Sequence, residues 1–174
     1  APMEEILAIA KKYDLYVIED TAQAIGADYT FSNGEKKKVG TIGTIGCTSF
    51  FPSKNLGCFG DGGAIMTNDD ALAEKMKMIA NHGMKVRYHH DLLGVNSRLD
   101  SIQAAILNVK LKHLEDYQKA RYEAAQIYTN GLKDIESIET PVEMSYSSHV
   151  YHQYTLKIKD GTRGELKKYL EDWN

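Results

Sequence analysis

Between Leu15 and Glu19 the chain reads Leu-Tyr-Val-Ile-Glu, an almost unbroken apolar run without the alternation of a strand that has one face in water. Such a run suits a parallel strand covered on both faces. It follows directly on a helical pattern. Pro2 suits a first turn, Glu4 and Glu5 complement the positive end of the helix dipole, and Ile6, Leu7, Ile9 and Ala10 form a stripe that ends near Tyr13 and Asp14. Helix followed by buried strand predicts an α/β sheet. Asp20 then stands at the carboxyl end of that strand, where open α/β sheets place their ligands.

The rest of the chain extends this pattern. Glycine-punctuated segments from Ala27 to Phe31 and from Lys38 to Thr44 predict short strands or a hairpin around Asn33-Gly34. Gly46 to Phe51 and Ala64 to Thr67 read as further core strands, and Asn68-Asp69-Asp70 caps a helix from Ala71 to His82. Gly83 to Gly94 reads as irregular. From Arg98 to about Leu132 the pattern is helical, with Leu99, Ile102, Ala105, Ile106 and Val109 as a core stripe and a bend near Lys112-His113. Ile135 to Ile138, Val150 to Ile158 and a helix from Thr162 predict a small α+β unit. The expected division is residues 1–114 in a large domain, and residues 115–174 in a long helix and the start of a second domain.

The chemistry is expected in Ser49-Phe50-Phe51-Pro52-Ser53-Lys54-Asn55-Leu56-Gly57, where a lysine follows an aromatic strand end and precedes glycines at 57, 60, 62 and 63. Partial burial and positive neighbours shift an ammonium toward its neutral form, and a neutral amine forms a Schiff base with an aldehyde. Most lysines in loops are merely solvated. The glycines permit positive φ and close backbone approach, and are read as giving Lys54 room to move. They do not form a Walker or dinucleotide fingerprint, because no helix follows at the required spacing.

Other polar residues each have an ordinary reading. Asp20 suits a cap, Ala22 core, Gln23 a turn, Ser49 a strand-end hydroxyl and Asn96 a helix N-cap. His89, His90 and Asp91 are adjacent on an extended segment, so their side chains diverge, and no third ligand has metal-motif spacing. No metal is expected. His149 and His152 read as strand residues of the small unit.

A net charge of −3 gives no basic footprint for nucleic acid, and Lys36-Lys37-Lys38 reads as a solvated turn. Two cysteines, Cys47 and Cys58, suggest free thiols in a reducing compartment. With no apolar run of membrane-spanning length and no signal-peptide pattern, a cytoplasmic protein is expected. The proline-led start and the helical pattern running to Trp173-Asn174 read as a fragment.

Three motifs in order carry a family resemblance: Glu19-Asp20-Thr21-Ala22-Gln23, Ser49-Phe50-Phe51-Pro52-Ser53-Lys54 and Gly94-Val95-Asn96-Ser97-Arg98. Together they resemble the pyridoxal-phosphate (PLP) sugar aminotransferases of the DegT/DnrJ/EryC1/StrS family. The run from Phe51 to Ala64 is most similar to WbpE-like enzymes, which aminate 3-keto nucleotide sugars. The resemblance implies fold type I, aspartate-aminotransferase-like: part of the large three-layer α/β domain and the start of the smaller α+β domain.

It also implies roles. Lys54 would hold PLP and act as acid and base. Asp20 would pair with the ring nitrogen, Ala22 would lie against the ring, Gln23 would bond the ring oxygen and Ser49 would contact the phosphate. Asn96 would reach the phosphate in the partner subunit of a homodimer with shared sites, while Arg98 and His90 would bind substrate. The expected partners are a nucleotide-linked keto sugar and an amino-acid donor, L-glutamate, in polysaccharide, O-antigen or lipopolysaccharide biosynthesis. Relatives carry an earlier segment whose glycine-Ser/Thr turn holds the cofactor phosphate. Two other readings stand beside this one. One is a PLP sugar dehydratase on the same fold, whose members carry His at the position of Lys54; the other is a non-catalytic sugar- or nucleotide-binding α/β module.

Overall fold

In the computed structural model, which describes residues 1–173, the first helix α1 (Met3–Lys12) leads into a parallel pairing of β1 (Ile18–Asp20) with β4 (Ile45–Ser49). β5 (Gly63–Met66) joins β4 antiparallel, giving a three-stranded sheet in the order β1-β4-β5. Between β1 and β4 lies an antiparallel hairpin of β2 (Asp28–Thr30) and β3 (Lys36–Lys38), so the triple lysine is a strand rather than a solvated turn. The Asn33-Gly34 turn folds it back, with Gly34 at φ 86°, and Lys38 pairs with Asp28 at 2.8 Å. The segment 40–44, expected as strand, is loop.

α2 (Asp70–Ala80) starts where the capping residues predict, with Asp69 Oδ1 accepting the Leu72 N–H at 3.0 Å. After it comes a small hairpin, β6 (Met84–Val86) with β7 (His89–His90), inside the segment expected to be irregular. α3 (Ser101–Lys110) passes through a 3-10 turn at Leu111–His113 into α4 (Leu114–Leu132), which is the expected bend. The chain then pairs β8 (Ile138–Glu139) with β9 (Lys157–Ile158) and ends in α5 (Arg163–Glu171). The strand expected from Val150 is confined to β9. Residues 149–154 instead fold back toward the segment after β4.

β1 departs from its expectation in burial. Ile18 is 67% exposed, whereas Glu19 is buried at 9%. The inward carboxylate accepts three backbone N–H groups, from Gly40 at 2.8 Å, Ile42 at 2.7 Å and Gly43 at 2.6 Å. A buried carboxylate is tolerable when several donors satisfy it, and these three fix the loop between β3 and β4. One apolar cluster, Leu56, Cys58, Leu107 and Leu114 with Ile25 and Phe50 against it, lies beneath the segment that carries Lys54. Burying a leucine contributes about 1.5–3 kcal/mol, so this cluster anchors the lysine segment to α3 and α4.

Candidate active site

Because β1 and β4 run parallel, both deliver their carboxyl ends to the same edge of the sheet. Asp20 sits opposite Cys47, and the chain leaving β1 is tied to β4 by the Thr21 N–H and hydroxyl, which donate to the Cys47 carbonyl at 2.7 and 2.9 Å. Asp20, Ala22 and Gln23 therefore leave one strand where Ser49 ends the other, with Lys54 five residues further on. The structure brings Asp20, Ala22, Gln23 and Ser49 to one end of the sheet, with Lys54 on the loop that leaves β4 there, its N–H donating to the Phe51 carbonyl at 2.8 Å.

Their polar atoms are only partly used. The exposed Asp20 accepts the Ala22 N–H through Oδ1 at 3.0 Å, an Asx turn that leaves Oδ2 without a hydrogen bond among the described residues. Ser49 Oγ accepts the Phe51 N–H at 3.2 Å, so its own hydroxyl hydrogen is available. Lys54 is half-buried, and its ammonium makes no hydrogen bond or ion pair among the described residues. Gln23 is exposed, and its amide is likewise unengaged among the described residues.

The lysine segment is closely packed beyond Lys54 despite its glycines. A Cβ on Gly57 would lie 2.4 Å from the Pro52 carbonyl oxygen and 2.8 Å from that of Phe51, so only glycine fits the close backbone approach. None of Gly57, Gly60, Gly62 and Gly63 uses the positive φ that glycine permits; close backbone approach is the property that Gly57 uses. α3 grips the same segment: Lys110 Nζ donates to the Gly57 carbonyl at 2.5 Å, and Gln103 Oε1 accepts the Phe59 N–H at 2.8 Å.

Asn96, Arg98 and His90 lie apart from this group. Asn96 bridges to Asn81 after α2, and its Oδ1 accepts from Arg98 Nε at 3.1 Å. Both residues line a recess of about 360 Å³ with Leu99, Asp100 and Ser101. His90 is exposed, with Nδ1 2.8 Å from the His82 carbonyl. No hydrogen bond or ion pair joins these three residues to Asp20, Ser49 or Lys54 among the described residues. The N-cap reading of Asn96 is overturned, because α3 begins at Ser101 and Asp100 holds the cap position.

The structure adds two residues to the lysine segment that the strand reading of 150–158 missed. Asn55 is buried, with Nδ2 donating to the Val150 carbonyl at 3.1 Å and Oδ1 3.1 Å from His152 Nδ1. Burial pushes the His152 pKa below its usual value, and the nearby positive charges of Lys54 and Arg121 add to the shift. Only the polar type of Asn55, set between Lys54 and Leu56, hinted at such a partner in the sequence.

A fit to PLP follows from the free groups. An unengaged amine suits an aldehyde, an open carboxylate oxygen suits a protonated ring nitrogen, and a free hydroxyl and amide suit oxygen acceptors. Among the described residues no three His, Cys, Asp or Glu side chains converge on a metal position, and no helix is long and apolar enough to cross a membrane. Cys47 and Cys58 are free thiols.

Known proteins resemble this chain along its whole length. Residues 1–174 match the DegT/DnrJ/EryC1/StrS aminotransferase family. The chain is 51% identical over 174 residues to the "Pleiotropic regulatory protein" of Geobacillus stearothermophilus, covering 99% of this chain and 45% of that one. It is 47% identical over 169 residues to the UDP-2-acetamido-2-deoxy-3-oxo-D-glucuronate aminotransferase of Pseudomonas aeruginosa, covering 96% and 45%. The structure superposes on S. venezuelae DesV, solved in complex with a ketimine intermediate, with a TM-score of 0.90 at 39% identity over 99% of this chain and 44% of that one. The chain thus spans less than half the length of these relatives. With the family matched from end to end, the chain belongs to the DegT/DnrJ/EryC1/StrS aminotransferase family.

Proposed function

We propose that this chain carries the lysine-bearing part of a PLP-dependent aminotransferase that moves an amino group from L-glutamate to a nucleotide-linked keto sugar in polysaccharide, O-antigen or lipopolysaccharide biosynthesis. The observation that carries the reading is the shared carboxyl end of β1 and β4, where Asp20 leaves one strand and the loop bearing Lys54 leaves the other, both residues with unengaged polar atoms. The sugar substrate is supported by the aminotransferase named in Pseudomonas aeruginosa.

Bound PLP supplies an electron sink for the carbanion formed when a substrate carbon loses its proton. The roles of this chain's residues follow from their atoms. Lys54 Nζ would take the proton from the amino donor's carbon as general base and, in the later half of the reaction, deliver one to the sugar carbon that gains the amine, as general acid. Asp20 Oδ2 would hold a proton on the ring nitrogen by charge. The small side chain of Ala22 would leave space for the ring, Gln23 would donate to the ring oxygen and Ser49 Oγ would donate to the phosphate. Asn96 would serve the phosphate in the partner subunit of a cytoplasmic homodimer, and Arg98 and His90 would bind the substrate; among the described residues Asn96 has no hydrogen bond to Asp20, Ser49 or Lys54 of its own chain. The division into residues 1–114 and 115–174 belongs to the same proposal.

The test supplies the full-length protein with PLP, L-glutamate and a panel of nucleotide-linked keto sugars. The reading predicts 2-oxoglutarate and an amino sugar in equal amounts. Loss of water from the sugar without amino transfer would instead assign a dehydratase, and no turnover with visible PLP binding absent would assign a binding module.

A further inference from the structure

Asn55 follows Lys54 directly, yet its side chain is held by a segment 95 to 97 residues later. The two contacts assign the protons. With Nδ2 committed to the Val150 carbonyl, Oδ1 faces the imidazole as an acceptor, so His152 Nδ1 carries the hydrogen. A neutral His152 is then the Nδ1–H tautomer. Its Nε2 lone pair has no hydrogen-bond partner among the described residues.

The residue between these two contacts is strained. Tyr151 has φ 43°, a left-handed conformation that costs a residue with a side chain roughly 1–2 kcal/mol. It is held there on all sides. Its ring stacks on His149 with centroids 4.0 Å apart, its hydroxyl donates to Glu143 at 2.5 Å, its N–H donates to His149 Nδ1 at 3.0 Å, and its carbonyl accepts from Arg121 at 3.3 Å. The turn at Tyr151 is what lets the Val150 carbonyl and the His152 ring reach the same amide. Strain that the surroundings over-determine in this way collects at functional positions.

We propose that His152, acting through Asn55, is a positioning residue for Lys54: it fixes the direction in which the lysine leaves its segment by tying the adjacent backbone to the strained turn at Tyr151. The proposal rests on the reading of Lys54 as the PLP-bearing lysine. α3 holds the segment beyond Lys54, at Gly57 and Phe59, so the Asn55 tie is the one beside the reactive amine. Burial, with the charges of Lys54 and Arg121, disfavours the charged form of His152.

Two variants of similar chemistry separate this role from general stability. His152→Asn places an amide nitrogen where Nδ1–H stood, and His152→Gln places one where Nε2 stood. In the PLP-loaded full-length protein, with kcat expressed per PLP-loaded site, His152→Asn should stay within about threefold of wild type. His152→Gln should lose about 10- to 100-fold in kcat at unchanged KM for the amino donor, the scale on which a misplaced reacting group costs rate. Both should keep the visible band that borohydride abolishes. Equal kcat in the two variants, whether both intact or both impaired, overturns the proposal. A wild-type protein without the band overturns the reading of Lys54 itself, a result that the variants do not produce.

Discussion

Glu19 Oε1 accepts the Gly43 N–H at 2.6 Å, and with the bonds to Ile42 and Gly40 this one carboxylate holds the whole loop that leads into β4. Removing it leaves three inward backbone donors without a partner. Glu19→Ala should therefore destabilise the protein by about 3 kcal/mol in urea unfolding, from the cost of unpaired buried donors. Glu19→Gln should cost somewhat less, because its amide offers one accepting oxygen instead of two. A loss in Glu19→Ala below about 1 kcal/mol would mean that water replaces the carboxylate without penalty.

Asp20 stands next to Glu19 and faces the other way, exposed, with Oδ2 open. Asp20→Asn keeps the Asx turn, since the amide oxygen still accepts the Ala22 N–H, and removes only the charge. Turnover should fall by at least about 100-fold while PLP affinity changes by less than tenfold, as expected when an interaction matters chiefly in the transition state. Equal losses in both would reduce Asp20 to a binding residue.

The parts legible in the sequence were those fixed by local pattern. Asp69 caps α2, Asn33-Gly34 turns the hairpin, and the 3-10 turn at Leu111–His113 sits where the helical stripe shifts. What stayed hidden depends on partners far away along the chain. Glu19 looked like the end of a core strand because its donors lie 21 to 24 residues on. Lys36-Lys37-Lys38 has poor strand propensity, but the pairing with Asp28–Thr30 leaves all three lysines in water, so nothing opposes the strand. His152 read as a strand residue because nothing local marks its tie to Asn55. The grouping of Asp20 with Lys54 rests on the family resemblance; the parallel register of β1 and β4 brings Asp20 to the sheet end from which the Lys54 loop leaves.

His149 and His152 both have pKa values lowered by burial, opposed at His149 by Glu143 and reinforced at His152 by Lys54 and Arg121. As pH falls below the ordinary histidine value of about 6.5, the unfolded chain takes up these protons before the folded one. The stabilisation is therefore complete above that value and is lost as pH falls toward the lowered folded values. Thermal melts from pH 7 to pH 5 should show Tm dropping, and dropping less in a His149→Phe, His152→Asn double variant. Identical pH profiles would contradict this.

Asn96 and Lys54 offer a test of the shared site. If each site takes Lys54 from one chain and Asn96 from the other, inactive Asn96→Ala mixed with inactive Lys54→Ala should regain activity as subunits exchange. Random pairing in a two-fold dimer gives about half mixed dimers, each with one intact site, so roughly a quarter of sites should recover. A mixture that stays inactive after exchange is confirmed by mass would place Asn96 in its own subunit's site.

The most direct measurement of the central claim is to load the full-length protein with PLP, reduce it with borohydride, digest it and locate the modified lysine by mass spectrometry. The result predicted here is one adduct, on Lys54, with the visible band lost on reduction and missing altogether from Lys54→Ala. An adduct on a different lysine, or a Lys54→Ala protein that keeps the reducible band, would contradict the account.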